Sequence, residues 1–207
     1  MNQIHLIIPF SRPENVEKLV NGYRPMNIIL HPITFQDEDI QFNESDNQWI
    51  LPLVIPMDHK DCKAHMPGCY KRNWFIENEE IIDNDYYVTA DDDDFYEDGV
   101  FDAIKQMDDD IIIISLKRGN HTPEGLPVQR RYPTFTLTAY PYNVKCGCIS
   151  AQQSFVKGRL FKAHKHNEEL HWWDGQIAMY YKNTGEQIRY EPDLFGLFNY
   201  FEPGRWA

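Results

Sequence analysis

Residues 111–116 constrain the fold more than any other segment of the chain. They read Ile-Ile-Ile-Ile-Ser-Leu, and Ser115 is the only polar residue among them. A run this apolar is typical of a central strand that is buried on both faces of a sheet, as in parallel sheets covered by helices. The sequence therefore predicts a buried central strand at this position.

Shorter apolar runs alternate with segments of helical character along the rest of the chain. The run 4–10 ends at Ser11-Arg12-Pro13, where Pro13 suits the first turn of a helix to about residue 23. Further strands are predicted at 26–32, 49–56, 86–90 and 187–191, further helices from Met66, from Glu97 and over 149–161 and 174–182, and a hairpin around 135–140. Strands alternating with helices predict an α/β fold.

The length and the charge of the chain limit its class. At 207 residues the chain has the size of one domain. Its formal net charge of -12 disfavours a nucleic-acid partner, because such binding depends on Lys and Arg that displace counterions. Residues 1–10 have no basic start of a signal peptide, and no run is apolar enough to span a bilayer. We therefore expect a cytoplasmic protein without a transmembrane segment.

The sequence Asp91-Asp92-Asp93-Asp94 follows directly after the predicted strand at 86–90. Two carboxylates one residue apart at the end of a strand can point at one cation. Mg²⁺ and Mn²⁺ prefer such oxygen ligands in combination with phosphate oxygens. Asp91 and Asp93 have this spacing, so the run predicts a divalent-cation site that faces a diphosphate.

Two other interpretations of the aspartates remain open. One is an acidic loop that is merely solvated. The other is an EF-hand calcium loop, which needs Gly at its sixth position and Glu at its twelfth. A loop that starts at Asp94 places Gly99 sixth but Lys105 twelfth, where a positive charge replaces the carboxylate ligand. The calcium loop is therefore the weaker of the two.

Four pieces of sequence are informative because of their order. They are Ile7-Ile8-Pro9-Phe10-Ser11-Arg12, then Lys71-Arg72-Asn73, then Thr89-Ala90-Asp91-Asp92-Asp93-Asp94-Phe95 with Glu97-Asp98-Gly99, and finally Trp172-Trp173-Asp174-Gly175 followed by Tyr180, Gly185 and Tyr190-Glu191-Pro192. In this order they resemble the inverting family-two glycosyltransferases of the GT-A fold. The resemblance implies a single GT-A, Rossmann-like domain with a mostly parallel sheet, flanking helices and a small antiparallel hairpin near the acceptor side. Residues from 1 to about 116 would then bind the nucleotide sugar, and those from about 117 to 207 the acceptor.

The same resemblance implies a role for individual residues on the donor side. Asp93 would be the direct ligand of Mn²⁺ or Mg²⁺, and Asp91 would face the metal, a metal-bound water or the ribose. The expected donor-binding residues are Pro9, Ser11, Arg12, Arg72, Asp91, Asp92 and Arg205. The donor would be a nucleotide-diphospho-sugar, with UDP as the expected nucleotide.

On the acceptor side, the resemblance implies that Asp174 is the general base of an inverting transfer. Trp172 and Trp173 would bind the acceptor, a glycan or another hydroxyl compound, since aromatic faces pack on the apolar face of a sugar ring. Two features depart from the family pattern. Glu-Asp usually stands where this chain has Trp173-Asp174, and no His follows His171, although many members have a C-terminal His near the diphosphate. A homo-oligomer is compatible with the sequence.

Two other classes of function compete with sugar transfer. A nucleotidyltransferase would also use a nucleotide and a cation, but the glycine-rich, Arg-containing loop of that class is absent after Pro9. A non-catalytic module that binds a cation or a carbohydrate would use the aspartates as a structural ion site. Hydrolysis of a nucleotide sugar in the presence of Mn²⁺ would distinguish this module from an enzyme.

Overall fold

The structure is a computed structural model that describes residues 2–42, 49–64, 66–118, 135–145, 149–165 and 173–198, with the backbone alone at residue 135 and residues 173–176. The helices are α1 (Val16–Tyr23), α2 (Pro67–Asn78), α3 (Val100–Lys105), α4 (Gly158–Phe161) and α5 (Trp173–Asn183). The strands are β1 (Ile4–Pro9), β2 (Ile29–Phe35), β3 (Leu53–Ile55), β4 (Tyr86–Thr89), β5 (Phe95–Tyr96), β6 (Ile111–Arg118), β7 (Phe135–Leu137), β8 (Ser154–Lys157) and β9 (Ile188–Leu197).

One sheet joins these strands in the order β3-β2-β1-β4-β8-β6-β9-β5, and β7 pairs with β6 beside this path. β1 is parallel to β2 and β4, β2 to β3, and β6 to β9. β8 is antiparallel to both of its neighbours, β4 and β6. β4 and β6 therefore point in the same direction with a reversed strand between them. The α/β class and the mostly parallel sheet that the sequence predicts are confirmed.

The predicted central strand is β6, and its residues 111–116 are all buried. β1 is buried along its whole length, and its side chains alternate between two clusters. Leu6 packs in the cluster that holds Leu19 and Tyr23 of α1, while Ile7 packs in the cluster that holds Phe75 of α2. The helices thus cover both faces of the first strand and fix the position of the loop that follows it.

The second and third strands differ from their predicted ranges. The strand predicted at 26–32 is displaced to Ile29–Phe35, because Asn27 adopts a left-handed conformation with φ of 49° and the chain turns there. The strand predicted at 49–56 shortens to Leu53–Ile55, and earlier in that range only an isolated parallel bridge joins Ile50 to Leu30.

The helix predicted over 149–161 is wrong. Its middle is β8, and only Gly158–Phe161 are α-helical, as α4. Phe155 and Val156 point to opposite sides of the sheet and join different clusters, as neighbours on a strand must. The turn from β8 into α4 is at Gly158, whose N–H donates to the carbonyl of Asp85 at 2.9 Å.

The end of the chain holds a longer strand than predicted. β9 covers Ile188–Leu197 where the sequence predicts only 187–191. Its pairing with β6 shifts register between Ile114 and Ser115, where the Ser115 hydroxyl donates to the carbonyl of Pro192 at 2.8 Å. In the range of the hairpin predicted around 135–140 the structure has one strand, β7, and it is antiparallel to β6 and not to a second strand within that range. The helix predicted at 174–182 is α5. Within the described residues, no helix is both long enough and apolar enough to cross a membrane.

Candidate active site

Two loops meet where β1 and β4 end side by side. Ile7 pairs with Thr89 across these parallel strands, and the N–H of Ala90 donates to the carbonyl of Ile7 at 3.1 Å. Adjacent parallel strands end at the same edge of a sheet, and ligands of open α/β sheets bind outside this carboxyl edge. The segment Ser11-Arg12 therefore lies against the aspartates that follow β4.

Asp92 fastens the loop after β1 to the end of β4. It is buried, and its Oδ2 accepts hydrogen bonds from the Ser11 N–H at 2.7 Å, the Arg12 N–H at 3.0 Å and the Ser11 hydroxyl at 3.2 Å. Its own carbonyl accepts a hydrogen bond from the Asn15 amide at 3.0 Å. Asp92 is thus committed to positioning Ser11 and Arg12, two of the expected donor-binding residues.

The side chain of Arg12 lies between two carboxylates. Its Nη1 is 2.5 Å from Asp92 Oδ1 and 2.9 Å from Asp93 Oδ1. The Arg12 side chain is 22% exposed, whereas those of Asp92 and Asp93 are 3% and 4% exposed. The guanidinium is therefore a partly accessible cation that compensates two buried acidic groups.

Asp93 has a strongly perturbed carboxyl group. Its pKa is raised to about 7: burial raises it most, the Arg12 charge opposes this, and the charges of Asp91 and Asp92 add to the increase. The pKa is raised because carboxylates lie close together here and have lost part of their hydration. A site of this kind favours a further cation, because bound positive charge would relieve both burial and repulsion.

Asp91 and Asp94 have different surroundings although they flank the same turn. The Asp91 side chain is 59% exposed and accepts a hydrogen bond from Arg72 Nη2 of α2 at 3.0 Å. Asp94 is buried, and its Oδ2 accepts a hydrogen bond from the Asp91 N–H at 3.2 Å. The Tyr23 hydroxyl donates to the Asp94 carbonyl at 3.2 Å. Asp94 therefore stabilises the turn, and Arg72 orients Asp91 towards solvent.

The start of α2 packs against the end of β1. A Cβ added at Gly68 would lie 3.8 Å from the Cβ of Pro9, and Pro9 itself is buried as the last residue of β1. Lys71 reaches back from α2, and its Nζ donates to the Phe10 carbonyl at 2.7 Å and to Glu38 Oε2 at 2.5 Å. Desolvation lowers the pKa of Lys71, and Glu38 opposes this effect. These contacts hold the loop after β1 at Phe10, next to the Ser11 that Asp92 binds.

Two residues of this arrangement are not predicted from the sequence. Glu38 follows β2 and contacts Lys71, while its Oε2 also accepts a hydrogen bond from the Phe35 N–H at 2.7 Å. Asn15 holds the backbone of Asp92. Glu38 belongs to a polar segment without periodicity, and Asn15 lies in the first turn of the predicted helix, where nothing in the sequence distinguishes it from its neighbours. Only the order of strands in the sheet brings them to the site. No pattern in the sequence could have identified them.

The expected acceptor residues are only partly described. Trp173 and Asp174 form the start of α5, where the backbone alone is described, and Trp172 and Arg205 lie outside the described residues. The later part of α5 packs through Ile177 and Tyr181 into a buried cluster with β6. This packing fixes the helix whose first turn contains Asp174.

The donor set suits a hard divalent cation only when another molecule completes it. No three His, Cys, Asp or Glu side chains group closely enough to hold a metal within the described ranges. Arg72 donates to Asp91 Oδ1 and Arg12 to Asp93 Oδ1, and no described residue donates to either Oδ2. Mg²⁺ is commonly held by one or two carboxylates together with substrate phosphates. Asp91 and Asp93 fit that pattern.

The fold is similar to that of solved structures, although the sequence matches little. No protein-family model and no curated protein sequence matches the chain. Among solved structures, S. aureus TarS 1-349 is similar with a TM-score of 0.61 and 16% sequence identity, over 93% of this chain and 60% of that chain. The mannosyltransferase PcManGT from Pyrobaculum calidifontis, in complex with GDP-Man and Mn²⁺, is similar with a TM-score of 0.61 and 11% identity, over 99% of this chain and 58% of that chain.

These similarities concern the fold. Both solved structures have the GT-A-type glycosyltransferase fold, and this chain shares it. The GT-A, Rossmann-like fold expected from the sequence pieces is therefore confirmed. The chain spans about three fifths of the length of each of these two structures.

Proposed function

We propose that the chain transfers a sugar, of hexosyl type, from a nucleotide-diphosphate donor to an acceptor hydroxyl, in a reaction that depends on Mn²⁺ or Mg²⁺. One observation carries the proposal: within a GT-A fold, Asp91 and Asp93 lie on the turn after β4, directly beside the loop that Asp92 fastens. The GDP-Man and Mn²⁺ bound to PcManGT support a nucleotide-sugar donor and a divalent cation. UDP as the nucleotide rests on the family resemblance.

On the donor side, each aspartate would have a separate task. A bound divalent cation would neutralise the charge that develops on the diphosphate leaving group. Asp93 and Asp91 would hold the cation. Asp92 would hold Ser11 and Arg12 in place for the donor, and Arg72 would keep Asp91 oriented.

On the acceptor side, Asp174 would remove the proton from the attacking hydroxyl. A base that activates the acceptor on one face of the sugar, while the diphosphate leaves on the other, inverts the anomeric carbon in a single displacement. Trp172 and Trp173 would bind the acceptor ring. The packing of Ile177 and Tyr181 supports this assignment, because it holds α5 against the sheet.

Calorimetry with UDP and GDP, with and without Mn²⁺, tests the proposal. We expect the wild-type chain to bind one of these nucleotides more tightly when Mn²⁺ is present. Asp93→Asn removes the charge of the main ligand and should reduce this enhancement about tenfold or more. Asp98→Asn is the matched control, because Asp98 is an exposed aspartate near the turn and should behave like the wild type. An Asp93→Asn variant that keeps the full Mn²⁺ enhancement would show that Asp93 is not a ligand.

A further inference from the structure

The guanidinium of Arg12 already occupies one oxygen of the carboxylate that the proposed function assigns to the metal. Nη1 donates to Asp93 Oδ1 at 2.9 Å and to Asp92 Oδ1 at 2.5 Å. We infer that Arg12 is an exchangeable internal cation. It stabilises Asp93 while no nucleotide is bound, and it moves to the donor diphosphate when a divalent cation takes its place. The inference rests on the proposed function.

Asp92 can release the guanidinium without being left unsatisfied. Its Oδ2 keeps three further donors, the N–H groups of Ser11 and Arg12 and the Ser11 hydroxyl. Hydrogen bonds to a carboxylate favour its charged form. These hydrogen bonds remain when Arg12 leaves, and a divalent ion at the neighbouring Asp93 would replace the lost positive charge, so the loop should stay in place.

Asp93 differs from Asp92 in this respect. Arg12 is the only donor to its carboxylate within the described ranges. Asp93 therefore depends on a cation nearby, and either the guanidinium or a divalent ion can fill that need. A divalent ion at Asp93 would repel the guanidinium across a distance of a few ångströms, so both cannot bind there with full strength.

The backbone of Arg12 is anchored, and its side chain is partly exposed to solvent. The Arg12 N–H donates to Asp92 at 3.0 Å, and its side chain is 22% exposed. Rotation about the side-chain bonds can thus redirect the guanidinium without moving β1 or the aspartates. A diphosphate is a favourable destination, because guanidinium pairs with phosphate oxygens in a bidentate manner.

This exchange couples the two ligands. A metal ion alone must displace Arg12, whereas a metal ion with a nucleotide gives the displaced guanidinium a new partner. Removing the guanidinium should therefore change the affinity for Mn²⁺ alone and the affinity for the Mn²⁺–nucleotide pair in opposite directions. Thermodynamic linkage requires the coupling between the metal ion and the nucleotide to be reciprocal. Mn²⁺ alone should bind more tightly to Arg12→Ala, while the Mn²⁺–nucleotide pair should bind more weakly.

On the full chain, electron paramagnetic resonance of free Mn²⁺ measures the affinity for Mn²⁺ without nucleotide. Calorimetric titration of UDP or GDP in the presence of Mn²⁺ measures the affinity for the nucleotide. We expect Arg12→Ala to bind Mn²⁺ alone about tenfold more tightly, and the nucleotide in the presence of Mn²⁺ about tenfold more weakly, than the wild type. Arg12→Lys should change both affinities in the same directions as Arg12→Ala, but by smaller factors. Arg24→Ala is the matched control, since Arg24 is exposed on the turn after α1 and should leave both affinities unchanged.

The inference is overturned if Arg12→Ala binds Mn²⁺ alone no more tightly than the wild type. Arg12 would then be a donor-binding or structural residue without a competing role. If Arg12→Ala does not fold, Arg12→Lys decides, because the opposite signs should persist. A wild-type chain that binds no nucleotide with Mn²⁺ overturns the proposed function as well. Normal nucleotide binding without opposite signs in the Arg12 variants overturns this inference alone.

Discussion

At the scale of single residues, identical side chains acquire different tasks. Asp92 and Asp94 accept hydrogen bonds from the backbone, Asp93 is buried beside Arg12, and Asp91 is exposed. The sequence predicts a carboxylate cluster at this point, because acidic residues follow a strand. It cannot divide the tasks among the four, since the division depends on the turn after β4 and on the partners that β1 and α2 bring.

A buried histidine pair crosses β1 and β2 away from the aspartates. His5 Nδ1 and His31 Nε2 are 2.9 Å apart, and His5 Nε2 is 3.4 Å from Asp85 Oδ2. When His5 donates to Asp85, His31 must donate to His5, and the remaining His31 Nδ1 is a buried atom without a partner. Burial, and to a smaller extent the charge of His5, lower the pKa of His31 to about 3. His31 is therefore neutral in the folded chain.

We expect this pair to weaken the fold in mild acid. The unfolded chain binds a proton at His31 near pH 6.5 and the folded chain near pH 3, so stability falls as the pH decreases between these values. The contribution of His31 is at most about 1.4 kcal/mol per pH unit. Urea unfolding from pH 7 to pH 4.5 measures it, and His31→Phe should flatten the slope. A His31 ring that titrates near pH 6.5 by NMR in the folded chain would contradict the expectation.

At the scale of elements, the sequence predicts a strand correctly where that strand is buried on both faces. β1 and β6 lie where their apolar runs predict, because such runs fit few other environments. It fails at β8, whose apolar residues 155 and 156 are compatible with a helix as well as with a strand. This segment forms a strand because it pairs with both β4 and β6. No local pattern in the sequence contains this long-range pairing.

The turn from β8 to α4 requires glycine. A Cβ at Gly158 would lie 2.1 Å from the carbonyl oxygen of Ile82, a backbone atom that cannot move aside cheaply. We expect Gly158→Ala to destabilise the fold by about 3 kcal/mol, the upper end for overpacking. Gly68→Ala is the control, because its Cβ would meet only the Pro9 Cβ at 3.8 Å. Urea unfolding compares them, and a Gly158→Ala variant as stable as the wild type would contradict the close approach.

At the scale of the whole molecule, the fold is better determined than the reaction. The order of strands brings the loop after β1, the turn after β4 and the start of α2 to one edge, and the solved GT-A structures share this fold at 16% and 11% identity. A sequence resemblance of four short pieces anticipates that result through their order. The division near residue 116, the cytoplasmic location and the homo-oligomer stay predictions.

Release of nucleotide from UDP- and GDP-sugars distinguishes a sugar transferase from a binding module. With Mn²⁺ and a hydroxyl acceptor or water, the wild-type chain should release nucleotide from at least one donor, and chelation of Mn²⁺ should stop the release. Asp174→Asn should bind donor and Mn²⁺ like the wild type, yet release nucleotide about 100-fold more slowly, because it lacks the general base. Binding of a Mn²⁺–nucleotide complex without any release by the wild type would contradict the enzyme and indicate a binding module. Normal release by Asp174→Asn would contradict the assignment of the base.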